Sequence, residues 1–590
     1  ISIGKSSNSN FYNYFIGNDS SKWATNVNSY NRIEYFNIYD SIDIAFYRKN
    51  EHLKYDFIVK PGSNPSNIKL FYEGMDNVSL SNGHLLIKTS LGNVVEQSPY
   101  AYQLSNGREI TVKCNYTLNH DTLSYSFPDG YDLSKTLIID PPILIFSTYT
   151  GSSADNWGFT ATYDDLGNMY VGGIVFDIGY PVTLGAFQTS YNGGTGIGYP
   201  GTDVSITKFS DDGTQLIYST YLGGSGNENP HSIICNQNGE LYIFGSTSSP
   251  NLPVLANSYD NSFNLGVTFQ NSVMDYVNGT DAFVVKFNST GNGLIGSTYI
   301  GGSGNDAVNL SPNLKKNYAD EFRGEIIVDN NDNCWVTTTT LSNDFPTIGG
   351  VQNSNNGMQD AVAFKLNTDL SSLLWSTYYG GSADDAGYSI QLNSLNEPIL
   401  TGGTISNDIF TSANSINPSS SGAQEGFIVK YNSSGNTISA ATYIGTPFYD
   451  QCYFIQTDIN DNIYVYGQTE GNYQITPSTI FSNPGSGQFI HKLDSDLTTT
   501  EFSTVFGSGS GINLSPSAFL VSDCDLIYVS GWGGSVNFQG NTFNMPTTSN
   551  AYQLTSDGSD FYLGVFTADA SSLLYATYFG GGTSSEHVDG

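Results

Sequence analysis

The chain has 590 residues, with 20 Lys and Arg against 54 Asp and Glu, a net charge of −34, and 64 Gly, 41 Tyr and 34 Phe. Such acidity repels phosphate backbones and removes the electrostatic footing for a nucleic-acid role, while 14% aromatic and 38% hydrophobic residues supply enough apolar surface to exclude a disordered chain. There is no apolar run long enough for a membrane-spanning helix. Ile1 is followed by no basic-then-apolar leader, so any secretory signal is expected to have been removed or to lie outside these residues. Low Lys with abundant Asn, Ser, Thr, Gly and Tyr is the usual composition of a secreted or surface protein. Cys114, Cys235, Cys334, Cys452 and Cys524 are scattered with no C-x-x-C spacing, which reads as small buried hydrophobes and neither a zinc site nor a disulfide framework.

In chain order, residues 1–141 precede a repeat that occupies residues 142–590. The repeat is anchored on Ser-Thr-Tyr-x-Gly-Gly. It begins at Ser147-Thr148-Tyr149 and recurs as Ser219-Thr220-Tyr221-Leu222-Gly223-Gly224, Ser297-Thr298-Tyr299-Ile300-Gly301-Gly302 and Ser376-Thr377-Tyr378-Tyr379-Gly380-Gly381. Degenerate copies follow at Ala441-Thr442-Tyr443, Ser503-Thr504-Val505 and Ala576-Thr577-Tyr578-Phe579-Gly580-Gly581. The anchors thus fall near positions 149, 221, 299, 378, 443, 505 and 578. Between anchors the same short segments recur, clearest at residues 325–329, 334–340, 360–366 and 373–379. Each is rich in β-branched and aromatic residues and bounded by Asn, Asp, Gly or Ser, the pattern of strands joined by turns. Asp164 to Asn168, Asn236 to Gly239 and Asp458 to Asn462 have the composition of tight hairpin turns. Four strands per repeat is one propeller blade, and no helical 3.6-residue period competes.

The expected fold is therefore all-β: a β-propeller of four-stranded blades preceded by a β-sandwich-like domain over residues 1–141. Counted from each anchor, residues 143–569 hold six complete sets and the seventh is cut after its first strand. This predicts seven blades in the parent protein with the last incomplete here. The alternative is a six-bladed ring in which residues 573–581 pair beside residues 143–150.

The anchor, together with a turn followed by Tyr-Val-x-Gly, the loop Asp344-Phe345-Pro346 and the segment Asp281-Ala282-Phe283-Val284-Val285-Lys286-Phe287, resembles the SBBP-type β-propeller repeat of large bacterial surface proteins. The preceding segment carries Asn13-Tyr14-Phe15-Ile16-Gly17-Asn18-Asp19, Trp23, Tyr55-Asp56-Phe57-Ile58-Val59-Lys60-Pro61-Gly62 and Ile138-Ile139-Asp140-Pro141. It looks like the β-rich domain that commonly precedes such repeats in Bacteroidota surface proteins. The resemblance implies an extracellular or outer-surface location and a gliding-motility, adhesion or type IX secretion context.

Two charge patterns recur with the repeat. A carboxylate follows most anchors: Glu228, Asp306, Asp385 and Asp450 seven residues beyond the anchor tyrosine position, Asp155 at six and Glu586 at eight, with Ile512 the exception. Equivalent positions of a propeller lie on one circle, so these six acids are the candidate ligands for Ca²⁺; the competing reading is turn capping or salt bridging. Second, Lys208, Lys286, Lys365, Lys430 and Lys492 share one repeat position, with Val565 in the sixth copy, which predicts a local carboxylate partner in the same or next blade. The six histidines make no metal spacing, and neither a nucleophile elbow nor a phosphate loop is present. No catalytic, cofactor-binding or confident metal residue emerges. Trp157, Trp375 and Trp532 fall in or near repeat strands or their loops; an aromatic ring there can stack on sugar, but most are expected to serve in core or interblade packing. The expected function is a non-catalytic scaffold or adhesin module that binds another surface protein or a polysaccharide; the alternative is a polysaccharide lyase or glycosidase using the propeller channel face.

Overall fold

The computed structural model describes residues 2–588 except 15–22, 50–51, 73–74, 76, 82–83, 90–91, 97–98, 106–107, 120–121, 141–147, 197–199, 212, 272, 319, 479, 523–524, 535–536, 538–539, 549–550 and 583–585. The chain divides into two compact units, one of Ile1–Ser147 with Ser549–Tyr552 and one of Thr148–Thr548 with Gln553–Gly590.

The first unit is built on a seven-stranded antiparallel sheet, in spatial order Ser2–Tyr14, Ala24–Tyr39, Ile42–Lys49, His52–Val59, Leu137–Asp140, Tyr100–Ser105 and Arg108–Val112. Leu137–Asp140 alternates buried and half-buried residues, as does Thr122–Ser126 of a smaller sheet. This period of two gives each sheet one apolar face. Phe57, Val59, Leu137 and Ile139 of the large sheet close over Leu123 and Tyr125 of the small one, with the Phe57 and Tyr125 rings 5.9 Å apart, so the unit is sandwich-like. Val78 and Leu85, from a third sheet of Asn77–Ser81, His84–Thr89 and Gly92–Glu96, complete the core.

The second unit contains six four-stranded antiparallel sheets in its described residues, each a meander in sequence order. We label the strands of each blade A to D from the inside. The A strands are Asn156–Tyr163, Glu228–Cys235, Glu325–Val328, Asp385–Leu392, Asp450–Thr457 and Ser515–Val521, and the D strands are Leu216–Leu222, Leu294–Ile300, Leu373–Tyr379, Ile438–Ile444, Thr500–Phe506 and Leu573–Phe579. Residues of all six A strands line one central cavity, which defines the propeller axis. B and C strands such as Leu241–Thr247 and Asp281–Phe287 are buried along their whole length. They are covered on both faces by neighbouring blades, which is why the sequence reads there as continuous apolar runs.

The anchor strand is the last and outermost strand of a blade, not its first. Leu573–Phe579, assigned from the sequence to an incomplete seventh blade, pairs with Phe561–Phe566 and completes the sixth. It does not stand alone; residues 143–147, beside which the closing-strand alternative would place it, lie outside the described residues. The reason is in the anchor itself. The buried tyrosine bonds the loop between strands B and C of its own blade: Tyr299 donates to Ser249 O (2.7 Å) and accepts from Leu252 N (2.8 Å), and Tyr378 does the same with Ser342 O (2.9 Å) and Phe345 N (2.8 Å). The preceding threonine pins the same loop, as Thr377 does at Gln352. Ser-Thr-Tyr therefore closes a blade. In contrast to these tyrosines, Tyr149 is 95% exposed.

Candidate functional site

Because each blade is an antiparallel meander, its B–C loop and the D–A link to the next blade emerge at one end of the propeller, and its A–B and C–D turns at the other. The recurring charges separate between these two ends.

At the A–B end the lysines meet the partners expected of them. Lys208 lies 2.9 Å from Asp164, Lys286 2.7 Å from Glu240, Lys365 2.8 Å from Asp329 and Lys492 2.9 Å from Asp458. Each ammonium also sits over the ring of the facing B-strand aromatic, 4.6 Å above Tyr170, 4.7 Å above Tyr242, 4.3 Å above Trp335 and 4.8 Å above Tyr464. Lys430 departs from the pattern and reaches Asp496 of the next blade at 3.5 Å. The carboxylate also builds the hairpin: Asp329 Oδ1 accepts from Asn331 N and Asn333 N. Burial pulls the Asp329 carboxyl upward, but hydrogen bonds from Lys365, Asn333 and their neighbours outweigh it and leave it below its ordinary range; Asp164 and Asp458 behave alike. In the second and fourth blades Asn236 and Asn393 make the turn, and the carboxylate moves to Glu240 and Glu397 four residues on. The sixth blade has Ser522, Leu526 and Val565 at these places, so the anion and the cation are lost together.

At the B–C end the predicted acids Glu228, Asp385 and Asp450 open their A strands, and Asp306 lies in the D–A link from the second blade to the third; all four are fully buried. Strand A of the first blade opens at Asn156, so Asp155, which is exposed, falls one residue outside the equivalent position. In the sixth blade the place expected at Ile512 is taken by Asn513, whose Oδ1 accepts from Ser508 N as Glu228 accepts from Gly224 N. Glu586 Oε1 accepts from Gly581 N at 2.9 Å. These acids cap the turn after the anchor and clamp the end of strand B. Asp306 takes Gly302 N (2.8 Å), Ser342 Oγ (2.9 Å) and the Thr340 hydroxyl, and Glu228 takes Gly224 N, Thr247 Oγ1 and Ser249 Oγ.

Each acid faces a second one that the sequence reading passed over, at the start of strand C: Asp203 with Glu228, Asp281 with Asp306, Asp360 with Asp385, Glu425 with Asp450 and Asp560 with Glu586. The anchor glycine lies between them. A Cβ on Gly301 would stand 2.6 Å from Asp306 Oδ2 and 2.9 Å from Asp281 Oδ1, and one on Gly380 2.5 Å from Asp360 Cγ, which is why glycine recurs there. The C-strand acids hold the B–C loops: Asp203 accepts from Asn192 N and Gly193 N at 2.8 Å, Asp281 from Asn264 N at 2.7 Å. Burial pushes Asp203 and Asp360 up to about 6, Glu228, Asp306, Asp385 and Asp450 up to about 7, and Asp281 up to about 8; neighbouring carboxylates add to the rise in all but Asp203. The fifth blade carries the neutral amides Gln488 and Asn513 at this place, joined by Asn513 N to Gln488 Oε1 (3.3 Å). The signal for the C-strand acids is legible: they open the recurring segment of which Asp281 to Phe287 is the clearest copy. Among the described residues no group of three or more His, Cys, Asp or Glu side chains is placed to hold a metal ion, so the six predicted acids do not converge on one site.

On the axis, the D–A link from the second blade to the third, residues 301–324, plugs the B–C end. Asp320 accepts from Lys316 N and Asn317 N (both 2.8 Å) and from Tyr453 OH (2.9 Å), and binds Arg323 Nε at 2.7 Å. Arg323 also donates to Pro516 O (3.2 Å) and lies 4.6 Å over the Tyr453 ring. Asn309 bonds Tyr388 and Gln359, and Asn317 bonds Tyr453 and Gln468, so the plug is tied to three other blades. Behind it lies a well of about 780 Å³ that runs to the A–B end, where Tyr163 and Leu520 are exposed. Its wall carries His231 and Glu325. Burial pushes the imidazole down to about 3, so it is neutral; its Nε2 meets Ser246 Oγ at 3.2 Å. Burial pushes Glu325 up to about 7 against hydrogen bonds from Ser389 Oγ and Ile390 N.

Trp375 and Trp532 are buried, and Trp157 packs on Phe176 with ring centres 4.6 Å apart, so all three serve in packing. Cys114, Cys334 and Cys452 are buried thiols and Cys235 is a half-buried one; Cys524 lies outside the described residues.

The chain is similar in fold to several solved structures. A protein of unknown function from Dyadobacter fermentans is 11% identical, covering 66% of this chain and 92% of that one, with a TM-score of 0.35. The Dos1 propeller is 10% identical over 72% and 91%, TM-score 0.31, and a PL25 ulvan lyase 10% identical over 80% and 91%, TM-score 0.29. No curated protein matches the chain. Residues 2–142 match the family described as a domain of unknown function, DUF7948.

Proposed function

We propose that this chain is a non-catalytic scaffold or adhesin module, displayed outside the cell, that binds another surface protein or a polysaccharide through its loops. The observation that carries this reading is the plug. It fills the B–C end of the axis, and its charges are spent on internal pairing: Asp320 takes four donors and Arg323 is neutralised by it. The long B–C loops around it are stapled by the anchor Tyr and Thr and by the C-strand acids. They are held rigid while carrying exposed apolar side chains, Ile178, Leu184, Val267, Met358 and Phe410 among them. Rigid loops with exposed apolar tips lose little conformational entropy when they dock. The gliding-motility and type IX secretion context comes from the repeat resemblance alone.

A glycan array run beside a turnover screen on polysaccharides and model glycosides tests the proposal. Binding without product is expected, and release of product would replace the scaffold by the lyase or glycosidase alternative.

A further inference from the structure

The axial well stands apart from the loop face and is not used by the scaffold reading. Four of its features specify a ligand. Its volume of about 780 Å³ falls within the range of roughly 300 to 1,000 Å³ usual for small-molecule sites. Its wall is aromatic: Phe159, Phe322, Tyr388, Tyr453, Phe454 and Phe519 line it, and Tyr388 and Tyr453 stack at 5.5 Å with rings 6° from parallel. His231, only 6% exposed, lines the well and has no hydrogen-bond partner at Nδ1, an uncommon state for a buried ring nitrogen. Finally, the well presents no uncompensated cation, because the charge of Arg323 is taken up by Asp320 at 2.7 Å.

These features select against phosphate, sulfate or uronate groups, each of which would need a free Arg or Lys. They favour a neutral ring with one apolar face and hydroxyls at its edge. Aromatic side chains cover the face, while the Glu325 carboxyl and the half-buried amides of Gln391 and Gln456 line the wall, where hydroxyls can pair with them. We propose that the axial well binds an uncharged sugar unit, entering from the A–B end. The inference rests on the scaffold reading only in taking the site as one of binding and not of turnover.

The test uses the full chain and isothermal titration with cellotetraose, maltotetraose and chitotetraose, with tetragalacturonate as the anionic comparison. At least one neutral tetrasaccharide is expected to bind with Kd below about 1 mM. Ser517→Trp, which fills the well from the sixth A strand, is expected to weaken it more than tenfold. Glu325→Gln keeps acceptors for Ser389 and Ile390 and serves as the second variant should Ser517→Trp fail to fold; it is expected to weaken binding about threefold or more at unchanged Tm. Three results overturn the proposal: no neutral tetrasaccharide binding at about 5 mM, binding that neither variant reduces, or tighter binding of tetragalacturonate. Cleavage of a bound probe would instead leave the well occupied as proposed and remove the non-catalytic reading.

Discussion

Replacing Asp281 by Asn probes the buried acid pairs directly. In the folded chain the Asp281 carboxyl is pushed up to about 8 by burial, with Asp306 and Asp260 as further carboxylates beside it. Unfolded, it returns to about 3.9. Between these values the folded chain holds a proton that the unfolded chain has released, so stability is greatest on the acid side and falls as pH rises, by about 1.4 kcal/mol per pH unit for this one group, levelling off above pH 8. Asp281 Oδ1 has no hydrogen-bond partner, and Asp306 Oδ2 faces the same point beside Gly301. A proton on Asp281 lets Oδ1 donate toward Asp306 Oδ2, which also accepts from Gly302 N and Ser342 Oγ. An Asn amide supplies a donor at every pH. The stability of Asp281→Asn relative to the parent should therefore rise with pH, by about 2 to 3 kcal/mol between pH 5 and pH 7. Thermal unfolding of both proteins at half-unit pH steps reads this as a widening Tm gap. A gap constant to within about 0.5 kcal/mol from pH 5 to 8 would refute the shared proton.

Three further expectations follow from the same geometry. The reverse change, Gln488→Glu with Asn513→Asp, should make the protein lose stability more steeply as pH rises from about 4 to about 7, by about one proton's slope, 1.4 kcal/mol per pH unit; an unchanged pH profile would count against it. Lys365→Met removes the partner of buried Asp329 and should cost about 1 to 3 kcal/mol near pH 6 by denaturant unfolding. Because the folded Asp329 carboxyl lies below its ordinary range, that deficit should fade as pH drops below about 4. Tyr378→Phe deletes the hydroxyl that bridges Ser342 O and Phe345 N and should cost about 1 to 2 kcal/mol, with faster proteolysis of residues 342–359 as the local readout.

The opposed slopes of the two charge systems place the stability maximum in mildly acidic solution. Below about pH 4 the lysine-paired carboxylates begin to protonate, and above about pH 4 the unfolded chain releases protons that the buried pairs, pushed up to between about 6 and about 8, still hold in the folded state.

Much of this architecture is legible in the residues. The four strands of the third repeat were bounded almost to the residue, and the in-register lysines pointed to carboxylate partners, because hydrogen-bonded turns and strand periods are local properties of a chain. The role of the anchor was less accessible. Ser-Thr-Tyr-x-Gly-Gly looks like the start of a unit because it is the strongest signal in it, yet the tyrosine bonds backward to the B–C loop of its own blade, a contact some 30 to 50 residues distant.

Spacing misplaced the acid position at Ile512, since one inserted link residue puts Asn513 in place, whereas in the first blade the seven-residue count itself falls on Asn156 and Asp155 stands one residue before it. Repeat, composition and charge together determined an all-β propeller with recurring acids and lysines. Tertiary structure alone decided that the acids pair two by two across an anchor glycine, because each pair joins the start of strand C to the segment that follows strand D of the same blade, some 25 residues on. It also decided that a single irregular link plugs the axis, since nothing local to residues 301–324 reveals that their side chains reach three other blades.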